Sequence, residues 1–329
     1  MNKFVRATQT SQSLSLAAME EASRAGLRLA DLEHLFLALV ISDQPAGRSL
    51  RSMGIDIAGA RRAVEEAHAA QLASLGIEAS FPEAGRIVFH ETDGYEWSKR
   101  ASDVIARSVD KEKNGDAAAV LRELVVEPSG LIASILDRLG TTPQAALEHL
   151  DQFDAPAERT VTKPAPVKGR ASGSIETFVP APIDDVWRLL ADPARIPDWE
   201  MSVGSIDDVV RDFTPGTVWN GIAPARRPDE KPVNVKPGFR RRDIELVSAH
   251  QPERIAWSFA YPDAPHSSAV LTEFTLVTTT GGTQMQITKS WSRRPGWRRL
   301  VAFPMRPIQK FIVWITLFQT GGAVSRAFR

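Results

Sequence analysis

The chain has 329 residues, 43% hydrophobic and 24% charged, enough for about two soluble globular domains. It has no cysteine, which excludes a disulfide framework and thiolate zinc ligation and fits a reducing compartment. The zero net charge conceals a polarity: residues 1–155 carry 16 Lys/Arg and 23 Asp/Glu, whereas residues 156–329 carry 24 and 17.

The opening MNKFVRATQT lacks the apolar core of a signal peptide, so a cytoplasmic location is expected. Ala/Leu-rich segments at helical spacing follow, and they contain an internal repeat offset by 86 residues. Leu35 aligns with Leu121, Leu39 with Val125, Leu50 with Leu136 and Gly54 with Gly140. Each glycine follows an apolar run and suits the left-handed residue that ends a helix. Asp56 and Thr142 then stand where a capping side chain would start the next one. Glu33-His34, inside an apolar segment, reads as a structural hydrogen-bonded pair rather than as catalytic machinery.

The segments FVRATQT, EEASRAG, LEHLFLAL and SLRSMGIDIAGAR resemble, in order and spacing, the repeat of the Clp N-terminal domain, over residues 1–150 of an expected helical domain 1–153. In the second copy Ala119 and Val120 stand where the Glu-His pair would be. The resemblance implies a docking module for Clp protease components, adaptors or peptides, with Phe4 near its binding surface and Phe89 as the second-copy counterpart. There is no G-x-x-x-x-G-K-[ST], so no ATPase motor accompanies it.

Residues 154–173 (DAPAERTVTKPAPVKGRASG) combine three prolines, small residues and scattered charge without apolar periodicity, and are expected to form a flexible linker. Beyond it the texture changes. A short strand from Ile175 to Val179 is predicted to end at Pro180 and Pro182, before a helix that opens with Asp184-Asp185 and buries Val186, Trp187, Leu189 and Leu190. A short second helix carries Ile196, Pro197 and Trp199. Period-two strands follow: Ile244 and Leu246; Ile255, Trp257, Phe259 and Tyr261; Val270, Thr272, Phe274 and Leu276; Met285, Ile287 and Trp291. Short turns make successive strands antiparallel neighbours, and their apolar face needs a cover. The final segment, Trp297 to Phe328, is the one helix long enough to supply it. In the run Arg240-Arg241-Arg242, alternation predicts a solvated face with one inward arginine.

This order, carried by IETFVPAPIDDVWRLLADPARIPDWE, PGTVWNG, RRRDIELVSAHQPERIAWSF and EFTLVTTTGGTQMQIT, resembles the START/polyketide-cyclase (SRPBCC) superfamily over residues 174–329. The resemblance implies an α+β helix-grip fold, with an apolar cavity between the curved antiparallel sheet and the long C-terminal helix. Trp187, Trp199, Trp257, Phe259, Phe274, Trp291, Phe311, Trp314 and Phe318 are candidates for its lining; any one of them alone reads more simply as core, and the cavity is an expectation for the group. His250 and His266 fall in turns without carboxylate partners, so no acid–base pair is predicted. No metal or cofactor is expected.

The expected whole is an all-α double-repeat domain followed by a helix-grip domain. Its expected role is a non-ATPase binding protein that holds an apolar small molecule or lipid. The alternatives are a cyclase- or hydratase-type enzyme with an accessory interaction domain, and a stand-alone decoy of the Clp N-domain. No acidic residue follows Glu273, while nine Lys/Arg do, so the terminal helix is compatible with peripheral membrane contact; covering the sheet explains its apolar content without lipid and is the preferred reading. Nucleic acid is not an expected partner.

Overall fold

Helix α2 (Leu32–Val40) is apolar apart from Glu33 and His34 in its first turn, and all nine of its residues are buried. It forms the middle of an N-terminal unit, Met1–Ala157, in the computed structural model. A second unit comprises Glu158–Arg329. The structure describes residues 3–78, 85, 87, 94–110, 113–153, 170–207, 213–226, 231–292 and 306–329. Phe89 and the expected linker up to residue 169 lie outside that set, and Phe4 is described only as backbone in the first turn of α1.

Around α2 stand α1 (Lys3–Arg24), α3 (Pro45–Ser52) and α4 (Ile57–Ser74), then α5 (Lys99–Ser108), α6 (Ala117–Val125), α7 (Leu131–Arg138) and α8 (Pro143–Phe153). Two-residue strands β1 (Leu29–Ala30) and β2 (Glu96–Trp97) pair in parallel. The repeat is visible in the chain ends. Gly54 and Gly140 adopt φ of 84° and 75°, left-handed values that terminate α3 and α7. Asp56 Oδ1 then accepts from Gly59 N at 2.6 Å and Thr142 Oγ1 from Ala145 N at 3.2 Å, opening α4 and α8. Arg51, buried at the end of α3, donates to Val40 O at 2.6 Å and Ser42 O at 2.7 Å. Burial lowers its pKa to about 9.

The Glu33-His34 pair has a different job from the expected one. His34 Nδ1 accepts from Asp31 N at 3.1 Å, closing a capping box at the start of α2. A ring nitrogen that accepts this bond carries no proton, so its 3.5 Å approach to Glu33 Oε1 is not an ion pair. Glu33 instead meets His68 Nε2 of α4 at 3.6 Å, and the nearby Glu33 carboxylate raises the His68 pKa. Burial lowers that of His34, in keeping with its neutral role. His34→Gln should therefore preserve stability to within about 0.5 kcal/mol, because a glutamine oxygen can reach back to the cap, whereas His34→Ala should cost about 1–2 kcal/mol. Urea unfolding followed by far-ultraviolet circular dichroism separates the two outcomes.

The second unit is built on seven antiparallel strands: β3 (Arg170–Val179), β4 (Ser205–Asp207), β5 (Val218–Ile222), β6 (Arg241–His250), β7 (Arg254–Ala260), β8 (Val270–Thr279) and β9 (Gly282–Ser292). Their order across the sheet is β3-β9-β8-β7-β6-β5-β4. Strand β3 begins at Arg170, inside the expected linker, because Arg170 to Gly173 pair with Ser292 to Lys289. The ladder overrides the weak strand preference of Arg-Ala-Ser-Gly. Two helices, α9 (Ile183–Ala191) and α10 (Ile196–Trp199), follow β3, and α11 (Arg306–Arg326) closes the unit. Pro307 lies in the first turn of α11, where its missing N–H costs nothing. The stretch before residue 306, expected to be helical from Trp297, lies outside the described residues.

Leu317, Thr320, Gly321 and Val324 form the buried stripe of α11 at helical spacing. Where this helix meets β3 the chain uses glycine. A Cβ on Gly173 would lie 2.5 Å from Val313 Cγ1, and one on Gly321 would collide with Thr177 Oγ1. The helix thus grips the concave face of the sheet at close range. Among the described residues no helix is long and apolar enough to cross a membrane.

Candidate functional site

The strand registers arrange the gripped face as rows of side chains. One row runs Trp219, Ile244, Phe259, Val270, Trp291, Ala171 from β5 to β3. A parallel row runs Ile255, Phe274, Ile287, Ile175. Between them lies Leu246, Trp257, Thr272, Lys289, Gly173. A lysine thus occupies the middle of an otherwise apolar face, with the alternation of β9 placing it on the same side as Met285 and Ile287.

Lys289 is 5% exposed, and its Nζ donates to Glu200 Oε2 at 2.8 Å. Glu200 is the residue on which α10 ends, and its other oxygen accepts from Ser202 N at 3.2 Å. Burial pushes the Glu200 carboxyl up, but the Lys289 ammonium and the Ser202 hydrogen bonds outweigh it and hold the pKa below the ordinary 4.5. A depressed carboxylate stabilises the fold above its unfolded pKa, and that contribution disappears as pH falls through the folded value. Glu200→Gln should therefore flatten the acid limb of stability below pH 4.5, read as thermal midpoint against pH.

Trp199, adjacent to Glu200, lies edge-on to Phe274 (centroids 5.1 Å apart) and Phe259 (6.2 Å). Those two rings belong to the rows on either side of Thr272, so the indole spans the middle row. Trp257 packs on Trp219 at 5.6 Å and donates its Nε1 to Leu190 O at 3.1 Å. Trp199 Nε1 and Thr272 Oγ1 are buried without a hydrogen-bond partner. Toward the rim, Arg242 is the expected inward arginine, 5% exposed, with its guanidinium 4.5 Å from the Tyr261 ring centroid. Burial lowers its pKa.

Of the nine aromatic residues expected to line a cavity, Trp187, Trp199, Trp257, Phe259 and Phe274 gather in one buried cluster with Trp219. Trp291 lies half-buried near the end of β9. Trp314 and Phe318 stack on each other at 5.4 Å along α11 and are also half-buried. The side chain of Phe311 lies outside the described residues. A separate open cleft of about 290 Å³ is lined by Asp185, Arg188, Leu189, Asp192, Arg195 and Phe328, and its charged rim contrasts with the apolar interior. The sequence reading missed Glu200 and Lys289. The signal for Lys289 was present: it stands at period two between Ile287 and Trp291, the phase assigned to the apolar face. Among the described residues no group of His, Asp and Glu is arranged to hold a metal ion.

Residues 180–300 match the family model described as Activator of Hsp90 ATPase homolog 1-like protein, about a third of the chain and wholly within the second unit. No curated protein matches. Among solved structures, a protein from Chromobacterium violaceum aligns at 16% identity over 47% of this chain and 96% of its own, with a TM-score of 0.31. One from Mesorhizobium loti aligns at 20% over 47% and 98%, with a TM-score of 0.31. DynU16, from the dynemicin biosynthetic locus, aligns at 19% over 49% and 47%, with a TM-score of 0.30. The fold assignment rests on the strand order and the gripping helix.

Proposed function

We propose that this chain is a binding protein whose second unit holds an apolar small molecule or lipid on the concave face of its sheet, under α11. The observation that carries this reading is the gathering of Trp199, Trp219, Trp257, Phe259 and Phe274 on the face that α11 grips. The match of residues 180–300 to an AHSA1-like model supports the same class of fold. Native mass spectrometry of the purified chain is expected to show one excess mass, released as an apolar compound by solvent extraction. A bare chain that also takes up no apolar fluorescent probe would sink the proposal.

The N-terminal unit is proposed as a docking module of the Clp N-domain kind. Its two-copy helical organisation, with paired glycine stops and caps at Gly54/Asp56 and Gly140/Thr142, supports this. The expected result is that the full chain captures a peptide or adaptor recognised by a Clp N-domain, and the absence of any such binding discards the reading.

One observation favours a second reading, a cyclase- or hydratase-type enzyme: Glu200 and Lys289 meet on the ligand face. Binding is preferred because a carboxylate with a lowered pKa, already bonded to an ammonium, is a weak general base at neutral pH.

A further inference from the structure

Two donors on the gripped face have no acceptor. Trp199 is fully buried and its Nε1 is unmet; Thr272 is fully buried and its Oγ1 is unmet. The neighbouring Trp257 shows the ordinary solution, a hydrogen bond to the Leu190 carbonyl. Leaving such a group unmet costs as much as losing a hydrogen bond outright, so a pair of them on one interior surface calls for an explanation.

The registers bring the two donors to one place. Thr272 lies directly opposite Trp257 on one side and Lys289 on the other. Trp199 touches Phe274, two residues further along β8, and Phe259, the partner of Val270, two residues back. The indole therefore lies over the Thr272 position, and the next residue, Glu200, completes the ion pair with Lys289.

Charge decides what the donors can receive. The Lys289 ammonium is already matched by the Glu200 carboxylate, and the other buried cation of the face, Arg242, lies toward the rim over Tyr261, so the surroundings of the two donors are formally neutral. At the two donors a carboxylate or phosphate would bring a buried anion with no countercharge beside it, and a cation would bring an unmatched positive charge next to Lys289. A plain hydrocarbon would leave both donors unmet. A neutral oxygen with two lone pairs satisfies both, while the surrounding rings take an apolar body.

We infer that the second unit selects a neutral, largely apolar carbonyl compound (a ketone, ester or amide) whose carbonyl oxygen accepts from Trp199 Nε1 and Thr272 Oγ1 beside the Glu200–Lys289 pair. This rests on the reading of the concave face as the ligand site. The test titrates the full chain with a propionyl-substituted dimethylaminonaphthalene, whose emission reports hydrogen bonding at its carbonyl. The same titration is run with the propyl analogue, which lacks that oxygen, and with a carboxylate analogue. The propionyl probe is expected to bind about ten-fold tighter than either analogue. Thr272→Val, which keeps shape and removes the hydroxyl, should reduce that preference about three- to ten-fold while leaving propyl affinity nearly unchanged. Trp199→Phe should do the same, and if it fails to fold by thermal melting, Thr272→Val decides alone. Equal binding of propionyl and propyl probes, a preference untouched by Thr272→Val, or tighter binding of the carboxylate overturns the inference and leaves the apolar site standing. Binding of none of the three overturns both.

Discussion

Replacing Lys289 by methionine is expected to destabilise the second unit by about 3–5 kcal/mol, because it strands the fully buried Glu200 carboxylate without a countercharge. Methionine fills a similar volume and suits the apolar row, so packing loss is a small part of that figure. The diagnostic is the double change. Adding Glu200→Gln to Lys289→Met removes the orphaned charge, and an amide oxygen there can still accept from Ser202 N. The pair of changes should cost less than Lys289→Met alone, returning about half or more of the loss. Seven of the eight tryptophans lie beyond residue 173, so tryptophan emission during urea unfolding follows this unit selectively. A single variant that shifts the transition by less than about 1 kcal/mol would show that the carboxylate finds water when its partner is removed.

The second large effect is expected at adjacent glycines with opposite signs. Gly321→Ala places a methyl against Thr177 of β3, with Ile287 Cδ1 only 3.3 Å away, so α11 must lift from the sheet at a cost of about 1–3 kcal/mol. Gly322→Ala meets nothing closer than the flexible end of Arg326 at 3.5 Å, and should stabilise the helix by up to about 1 kcal/mol. Helix propensity alone predicts that both substitutions help. Only close docking of the helix separates them, and the same urea titration reads the difference. Adding Thr177→Ala removes the colliding hydroxyl and should restore part of the loss at 321.

Local chemistry made much of the architecture legible. Gly54 and Gly140 are stops, and Asp56 and Thr142 are starts, for reasons contained in a few consecutive residues, so the duplicated helical plan could be read without contacts. The alternation in β6 to β9 identifies the gripped face with Trp257, Phe259 and Phe274 on it, and the two short helices supply Trp187 and Trp199; Trp219, in the short stretch PGTVWNG, has no such pattern around it. What could not be read is non-local. His34 is a capping residue because of where Asp31 N points, and Glu33 finds His68 on another helix. Glu200 acquires its meaning from a lysine 89 positions away. Lys289 itself was passed over because charge on an apolar phase reads as an interruption of the pattern, when its register opposite Thr272 makes it the centre of the face.

The strand order has a consequence for how the molecule comes into being. The first strand of the second unit, β3, is completed by β9, the last strand among the described residues, with Arg170 reaching Ser290 across 120 positions of chain. During synthesis β3 must wait unpaired until that partner emerges, and closing so long a loop is entropically slow. The helices of the N-terminal unit bury their stripes against one another, α3 on α8 and α4 on α7 included, and all of these precede β3 in the chain. The nascent chain can therefore carry its helical unit while the seven-stranded sheet still lacks β9 and its gripping helix, and the gripped face is the last surface to be completed.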